Sequence, residues 1–192
     1  KYGGVLVFGR GSDATKLDPA QVTDGESLIV TQQIYDTLVT YKKENTDVMP
    51  ALAESWETSE DGTIWTFHLR KDVKFHDGTD FNAEAVVFNF ERWMYEDHPY
   101  HQGEFVYWGY MFGGYPGVVK KVEALDDYTV RFTLSEPQAP FLQNLAMPVF
   151  AIASPTAVKK WGADYSNHPV GTGPFKFVSW ERDTQIVVER ND

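Results

Sequence analysis

The sequence predicts a mixed α/β protein of the α+β kind, in which strands and helices follow one another without a regular βαβ rhythm. Three observations carry this reading. Residues 64–69 and 129–134 alternate apolar and polar side chains, the period of a strand. Residues 27–41 and 82–95 repeat apolar side chains at helical spacing. Gly, Asp, Asn and Pro punctuate the intervals between them, as turns require.

Taken in order, Val5-Leu6-Val7-Phe8 is a short apolar run and predicts a buried strand. A Gly-, Asp- and Pro-containing loop follows. Residues 27–41 then predict a helix with Leu28, Thr31, Tyr35, Leu38 and Val39 on one side, capped by Asp24 or Ser27. Asp61-Gly62 predicts a tight turn before the strand at 64–69. Both faces of that strand carry bulk, so it is expected to be covered on both sides. Asn82 caps a helix over 82–95, with Val86, Phe90 and Trp93 on one face. Residues 118–125 and 129–134 predict paired strands around the Asp126-Asp127 turn. Residues 139–147 predict a short helix, with Pro140 tolerable only in its first turn. Ser154-Pro155 starts another helix and Gly162 ends it. Residues 175–180 and 184–189 predict a hairpin. Residues 96–117 are rich in Tyr, Trp and Gly, show no clear period, and predict a long functional loop.

Composition narrows the function classes. The chain has 192 residues, of which 42% are hydrophobic and 23% charged, as in a folded globular domain. Thirteen Phe, ten Tyr and six Trp exceed what a small core needs, so some are expected to line a recognition surface. A net charge of -11 repels phosphate backbones, and no nucleic-acid partner is expected. There is no cysteine for a disulfide, a thiolate metal site or a thiol nucleophile. No apolar run approaches the roughly 18 residues that span a bilayer. No signal peptide is visible at Lys1; a processed start and an ordinary cytosolic start both stay open. The strand-like residues 184–190 end two residues before the last residue, which predicts a fragment of a longer protein.

Several patterns that suggest chemistry fail on context. Gly9-Arg10-Gly11-Ser12-Asp13-Ala14 fits a loose dinucleotide pattern, but no helix starts there to face a pyrophosphate. Gly171-Thr172-Gly173-Pro174 lacks the Lys of a phosphate loop and continues into a strand. His98 and His101 are three apart, yet Pro99 lies between them and no carboxylate pattern accompanies them, so no metal is assigned. No Ser sits in a nucleophile-elbow context, and His76-Asp77-Gly78 is a turn signal after residues 73–75. No catalytic residue and no cofactor is expected.

One stretch is more specific. Ala53-Glu54-Ser55-Trp56, followed by Asp61-Gly62-Thr63-Ile64-Trp65-Thr66-Phe67-His68-Leu69-Arg70-Lys71-Asp72-Val73-Lys74-Phe75-His76-Asp77-Gly78, closely resembles the signature of extracellular solute-binding proteins of family 5. Leu17-Asp18-Pro19, Ile34-Tyr35-Asp36-Thr37-Leu38, Phe81-Asn82-Ala83-Glu84-Ala85-Val86-Val87-Phe88, Leu125-Asp126-Asp127-Tyr128-Thr129-Val130 and Pro169-Val170-Gly171-Thr172-Gly173-Pro174-Phe175 match further landmarks. The resemblance extends over essentially the whole chain. The family includes di- and oligopeptide receptors of ABC importers, and also carries oligosaccharides, nickel complexes or haem on the same scaffold; the peptide receptors look closest.

The resemblance implies a periplasmic-binding-protein-like class II fold of two lobes that close on a solute. Residues 1–40 and 168–192 would belong to the core sheet of the first lobe, and residues 41–167 to a subdomain carrying the signature. The second lobe, the hinge, and the acidic residue that holds a peptide's amino terminus would lie outside this chain. The implied protein is a monomeric receptor, periplasmic or extracellular, that delivers solute to a membrane permease. A lipid anchor would need a Cys before Lys1. Implied first-lobe contacts are Thr23, Asp24, Gly25 and Glu26, with Gly11 and Ser12 nearby, and the aromatic segment with Tyr107, Trp108, Tyr110, Met111 and Phe112. Glycine suits a position where backbone approaches ligand.

Overall fold

A computed structural model describes residues 3–192. A 3₁₀ turn over Pro19–Gln21 leads into α1, Gly25–Ile34. Asp24 caps the helix: its Oδ1 accepts from Ser27 N at 2.8 Å, satisfying one of the amides that the first turn leaves without a partner. The helix is shorter than its apolar pattern. Tyr35 turns extended, and its N–H closes the last turn on Thr31 O at 3.0 Å. Beyond it, β1 (Val39–Tyr41) pairs antiparallel with β2 (Val48–Pro50). Val39 and Thr40 are β-branched, stiff in a helix and at ease in a ladder, so strand pairing wins over periodicity there.

Four strands form the main sheet: β3 (Ala53–Thr58), β4 (Ile64–Leu69), β5 (Val119–Asp126) and β6 (Thr129–Leu134), all antiparallel in the order β3-β4-β6-β5. The predicted alternation is visible in the packing. Val130, Phe132 and Leu134 of β6 are buried, with Phe67 and Leu69 of β4 beside them. The expectation that β4 is covered on both sides is corrected. Ile64 is 38% exposed and His68 is exposed, because no element lies over that face among the described residues. Its bulk lies beside Thr133 and Thr129 on the neighbouring strand instead.

Helix α2 (Ala83–Met94) packs on the inner face of β5 and β6. Asn82 Oδ1 caps it through Ala85 N at 2.9 Å. Phe90 meets Phe132 edge-on at 4.8 Å between centroids, and Trp93 packs on Phe150 at 5.9 Å. Each such aromatic, removed from water, contributes about 1.5–3 kcal/mol. The long segment at 96–117 contains a helix absent from the sequence reading, α3 (Val106–Phe112). It is aromatic on every side, so no single face announces a period. Helices α4 (Phe141–Leu145) and α5 (Pro155–Trp161) lie where expected, and Ser154 Oγ caps α5 through Ala157 N. The chain then forms the antiparallel hairpin of β7 (Phe175–Glu181) and β8 (Gln185–Arg190).

A second core gathers α1, α5 and this hairpin around Leu17, Ile34, Tyr35 and Tyr165. Val5-Leu6-Val7-Phe8 takes no part in it. Val5 is 94% exposed and Phe8 69%, and the run forms no strand. The buried-strand expectation is corrected: β7 and β8 pair with each other, and no described strand offers residues 5–8 a ladder.

Two polar devices join the cores. Asp18 and Arg92 are 1% and 2% exposed, and the guanidinium donates to both carboxylate oxygens at 3.0 and 3.1 Å. Removing one partner of such a pair strands the other charge in a dry interior. Arg92→Ala is therefore expected to cost about 3–5 kcal/mol of unfolding free energy in denaturant titration. A loss below about 1 kcal/mol would show the pair to be dispensable.

The second device is the turn at the end of the signature. His76 N donates to Gly171 O and its Nε2 lies against Gly173 O, both at 2.9 Å. Asp77 Oδ2 accepts from Ser154 Oγ at 2.6 Å. Burial lowers the His76 pKa below 6.5, and burial lowers His98 in the same direction. The unfolded chain thus binds these protons more readily than the folded one. Stability from this source is complete above 6.5 and is lost as pH falls below it towards the folded value. His76→Gln keeps a side-chain donor for Gly173 O but does not titrate. Denaturant titrations between about pH 7.5 and about pH 5 are expected to show a shallower loss in this variant than in the parent, with His98 supplying the remainder. Equal slopes would remove His76 from the account.

Candidate functional site

The loop at 9–13 and the first turn of α1 form one polar constellation. Asp24 does more than cap. Its Oδ2 accepts from Thr15 Oγ1 at 2.6 Å and from Ser27 Oγ at 2.8 Å. Ser27 Oγ in turn accepts from Thr15 N at 2.8 Å and Lys16 N at 3.3 Å. Partial burial pushes the Asp24 carboxyl up, but the bonds from Thr15 and Ser27 outweigh it and hold the group below its ordinary value. Asp24 is a carboxylate with its near side fully occupied.

Arg10 bridges the loop to the helix. Its Nη1 donates to Glu26 O at 3.0 Å and lies 3.8 Å from Glu26 Oε2. That oxygen is buried without a hydrogen-bond partner. Gly11, Ser12, Thr23 and Gly25 are exposed, so their main-chain groups are open to a ligand. At Gly25 the fold leaves open space where a side chain would project, so its own packing does not demand glycine. At Gly11 a methyl would press on Glu26 Oε1 at 3.2 Å. The loop is also held from the other side. Asp13 accepts Trp180 Nε1 at 3.0–3.1 Å on both oxygens, Asp183 N at 2.9 Å and Ala14 N at 2.8 Å. Partial burial pushes the Asp13 carboxyl up, yet these bonds and Arg10 bring it below its ordinary value.

The aromatic segment divides. Trp108 and Phe112 are 1% exposed and belong to the core. Their rings lie 4.4 Å apart, Trp108 packs edge-on against Phe90 at 6.0 Å, and its Nε1 donates to Pro116 O at 3.2 Å. The expectation that these two line a ligand surface is corrected: α3 turns them inward to fill the space over α2 and Phe150. Tyr107 and Met111 are half-buried, and Tyr110, at 75%, faces solvent. Among the described residues, no hydrogen bond or ring contact joins α3 to the loop at 9–13 or to residues 23–26.

Two surface hollows of about 310 Å³ and about 460 Å³ lie elsewhere, along α2 and α5 and beside His76, and none of the candidate residues lines either. The candidate loop is an open face and not a closed pocket. Sequence reasoning missed Arg10 and Asp13. Both sit in the pattern weighed as a nucleotide loop; the Trp180 and Asp183 partners of Asp13 lie far along the chain, and Arg10 reaches Glu26 across the intervening loop, so no repeating spacing reveals them.

Comparison with known proteins identifies the family. Residues 47–192 match the family model "Bacterial extracellular solute-binding proteins, family 5 Middle". The di/tripeptide-binding protein 1 of Pseudomonas aeruginosa is 40% identical over 97% of this chain, and the heme-binding protein A of Haemophilus influenzae is 44% identical over 88% of it. The chain spans 37% and 33% of their respective lengths. A solved structure of the periplasmic binding protein DppA from Helicobacter pylori, in complex with the peptide STSA, superposes with a TM-score of 0.88 at 44% identity. It covers 98% of this chain, which spans 39% of that protein. The mixed helix-and-sheet architecture is that of part of a periplasmic binding protein, and the chain belongs to the bacterial extracellular solute-binding proteins of family 5.

Proposed function

We propose that this chain is most of the first lobe of a receptor that captures di- and oligopeptides outside the cytoplasmic membrane and delivers them to the permease of an ABC importer. The receptor is periplasmic or extracellular, and it releases its solute unaltered. The observation that carries this reading is the likeness, over nearly the whole chain, to a protein solved with a bound peptide. The open loop supports it. A solute gripped between lobes needs each lobe to present a face, with water expelled only on closure. A receptor for varied peptides reads their main chain by extended pairing, and exposed main chain at Gly11, Ser12, Thr23 and Gly25 suits that task. Glu26 is half-buried beside Arg10, and Tyr107, Tyr110 and Met111 remain as the accessible part of the aromatic segment. Asp24 orders the helix start beneath them.

The same reading gives residues 1–40 and 168–192 to one lobe sheet that further strands of the receptor complete. The bare run Val5-Leu6-Val7-Phe8 supports it, since so apolar a segment calls for a partner. A haem receptor is the second reading, favoured by the likeness to the Haemophilus influenzae protein.

Calorimetry on the full-length receptor decides between them. Titration with the peptide Ser-Thr-Ser-Ala is expected to show saturable binding with a negative heat-capacity change, and chromatography is expected to recover the peptide intact. Saturable binding of haemin with none of peptide would transfer the protein to the second reading. Cleavage of the peptide would overturn the receptor reading altogether.

A further inference from the structure

The loop at 9–12 is held by a polar relay that runs from α1 to the far hairpin. Arg10 grips the first turn of α1 through Glu26 O at 3.0 Å and reaches Asp13 Oδ1 at 3.4 Å. Asp13 passes the connection on to the turn between β7 and β8, through the Trp180 indole and the Asp183 amide. The turn is fitted to this role. Asp183 sits at φ 60, in the left-handed region that a non-glycine residue adopts at a cost. That conformation accompanies an amide aimed at Asp13 Oδ2, and the hydrogen bond offsets the strain. Arg182 completes the turn. Its guanidinium lies 3.3 Å from the Trp180 ring centroid, and it donates to Thr15 O at 3.4 Å and Asn167 Oδ1 at 2.8 Å.

Arg10 and Asp13 keep 15% and 14% of their side-chain surface. They are shielded enough for charge-assisted bonds to outweigh those of the ordinary surface. Asp13 takes four hydrogen bonds from Trp180, Asp183 and Ala14 in addition to Arg10, so both its oxygens are occupied. A carboxylate so occupied is not a ligand group.

We propose that Asp13 is a positioning residue for solute binding: by tying residues 9–12 to the β7–β8 turn, it presents the Gly11 and Ser12 main chain as a preformed contact, so that ordering this loop costs nothing at the moment of capture. The inference rests on the peptide-receptor reading for the identity of the solute and for Gly11 and Ser12 as its contacts. A preformed loop lowers the entropy lost on binding, and that saving is removed when the tie is cut.

Asp13→Asn keeps the shape but removes the charge that faces Arg10, and its amide nitrogen cannot accept from Trp180 or Asp183. Trp180→Phe removes the indole N–H together with part of the ring system and keeps an aromatic ring beside Arg182. Both variants are made in the full-length receptor, and two quantities are read. Amide hydrogen exchange of the solute-free protein is expected to quicken at the Ala14 and Asp183 amides, which donate to Asp13, in both variants while the main sheet stays protected. Affinity for Ser-Thr-Ser-Ala is expected to fall about ten- to hundredfold in Asp13→Asn, mostly through faster release, and by less in Trp180→Phe.

Unchanged exchange at the Ala14 and Asp183 amides would overturn the proposal. So would faster exchange with unchanged affinity, which would show that the loop does not meet the solute. Uniformly faster exchange across the main sheet would reduce Asp13 to a structural residue. If Asp13→Asn fails to fold, Trp180→Phe alone decides on the same readouts. If the parent receptor does not bind the peptide, the peptide reading falls, and the exchange of the solute-free variants still decides whether Asp13 holds the loop.

Discussion

Gly171 and Gly173 lie against the end of α1 more closely than a side chain at either would permit, and the arrangement of the second core follows from that approach. Gly173 N donates to Ile34 O at 2.9 Å, and a methyl on Gly173 would stand 2.6 Å from the Ile34 carbonyl carbon. Thr172 Oγ1 donates to Asp36 Oδ2 at 2.8 Å beside it, and His76 closes the other side. Pro174 leads directly into β7, so this seat fixes where the hairpin begins. The hairpin's position then lets Trp180 and Asp183 reach Asp13, and Asp13 in turn fixes the loop that carries Gly11 and Ser12. A close backbone approach at the last residue of α1 is thus transmitted to an exposed loop at its first turn.

The long signature that identifies the family is, in this chain, mostly architecture. Trp65, Phe67 and Leu69 furnish the sheet and its core, while His76 and Asp77 lock the turn to residues 154, 171 and 173. The end of the signature, from Asp72 to Gly78, lines the hollow beside His76. Such a division suits a scaffold that keeps its frame and varies its ligand: the frame is spelled out in sequence, and recognition falls to loops that the frame holds still.

What was legible in the sequence follows from the range of the forces involved. Strands β4 to β6, the capped helices α2 and α5 and the β7–β8 hairpin declare themselves through local period and turn chemistry. The end of α1 was not legible, because the apolar positions continue past Ile34 into residues that pair with β2 instead. Helix α3 was hidden by aromatics on all its sides. Trp108 and Phe112 looked like surface recognition residues because composition cannot say which way a helix turns; the empty volume above α2 decides that. Residues 5–8 read correctly as apolar and wrongly as buried, since burial depends on a partner that no local pattern supplies. The contribution of Asp13 depends on residues about 170 positions away, a separation at which single-sequence pattern has no hold.

The seat at Gly173 is the origin of order in the second core, and one substitution addresses it. Gly173→Ala in the full-length receptor forces a methyl into the Ile34 backbone. Denaturant titration should then show a loss of about 1–3 kcal/mol, accompanied by loss of exchange protection at the Asp183 amide. Parent-like stability together with an Asp183 amide as protected as before would contradict the claim that this close approach holds the hairpin, and through it the loop, in place.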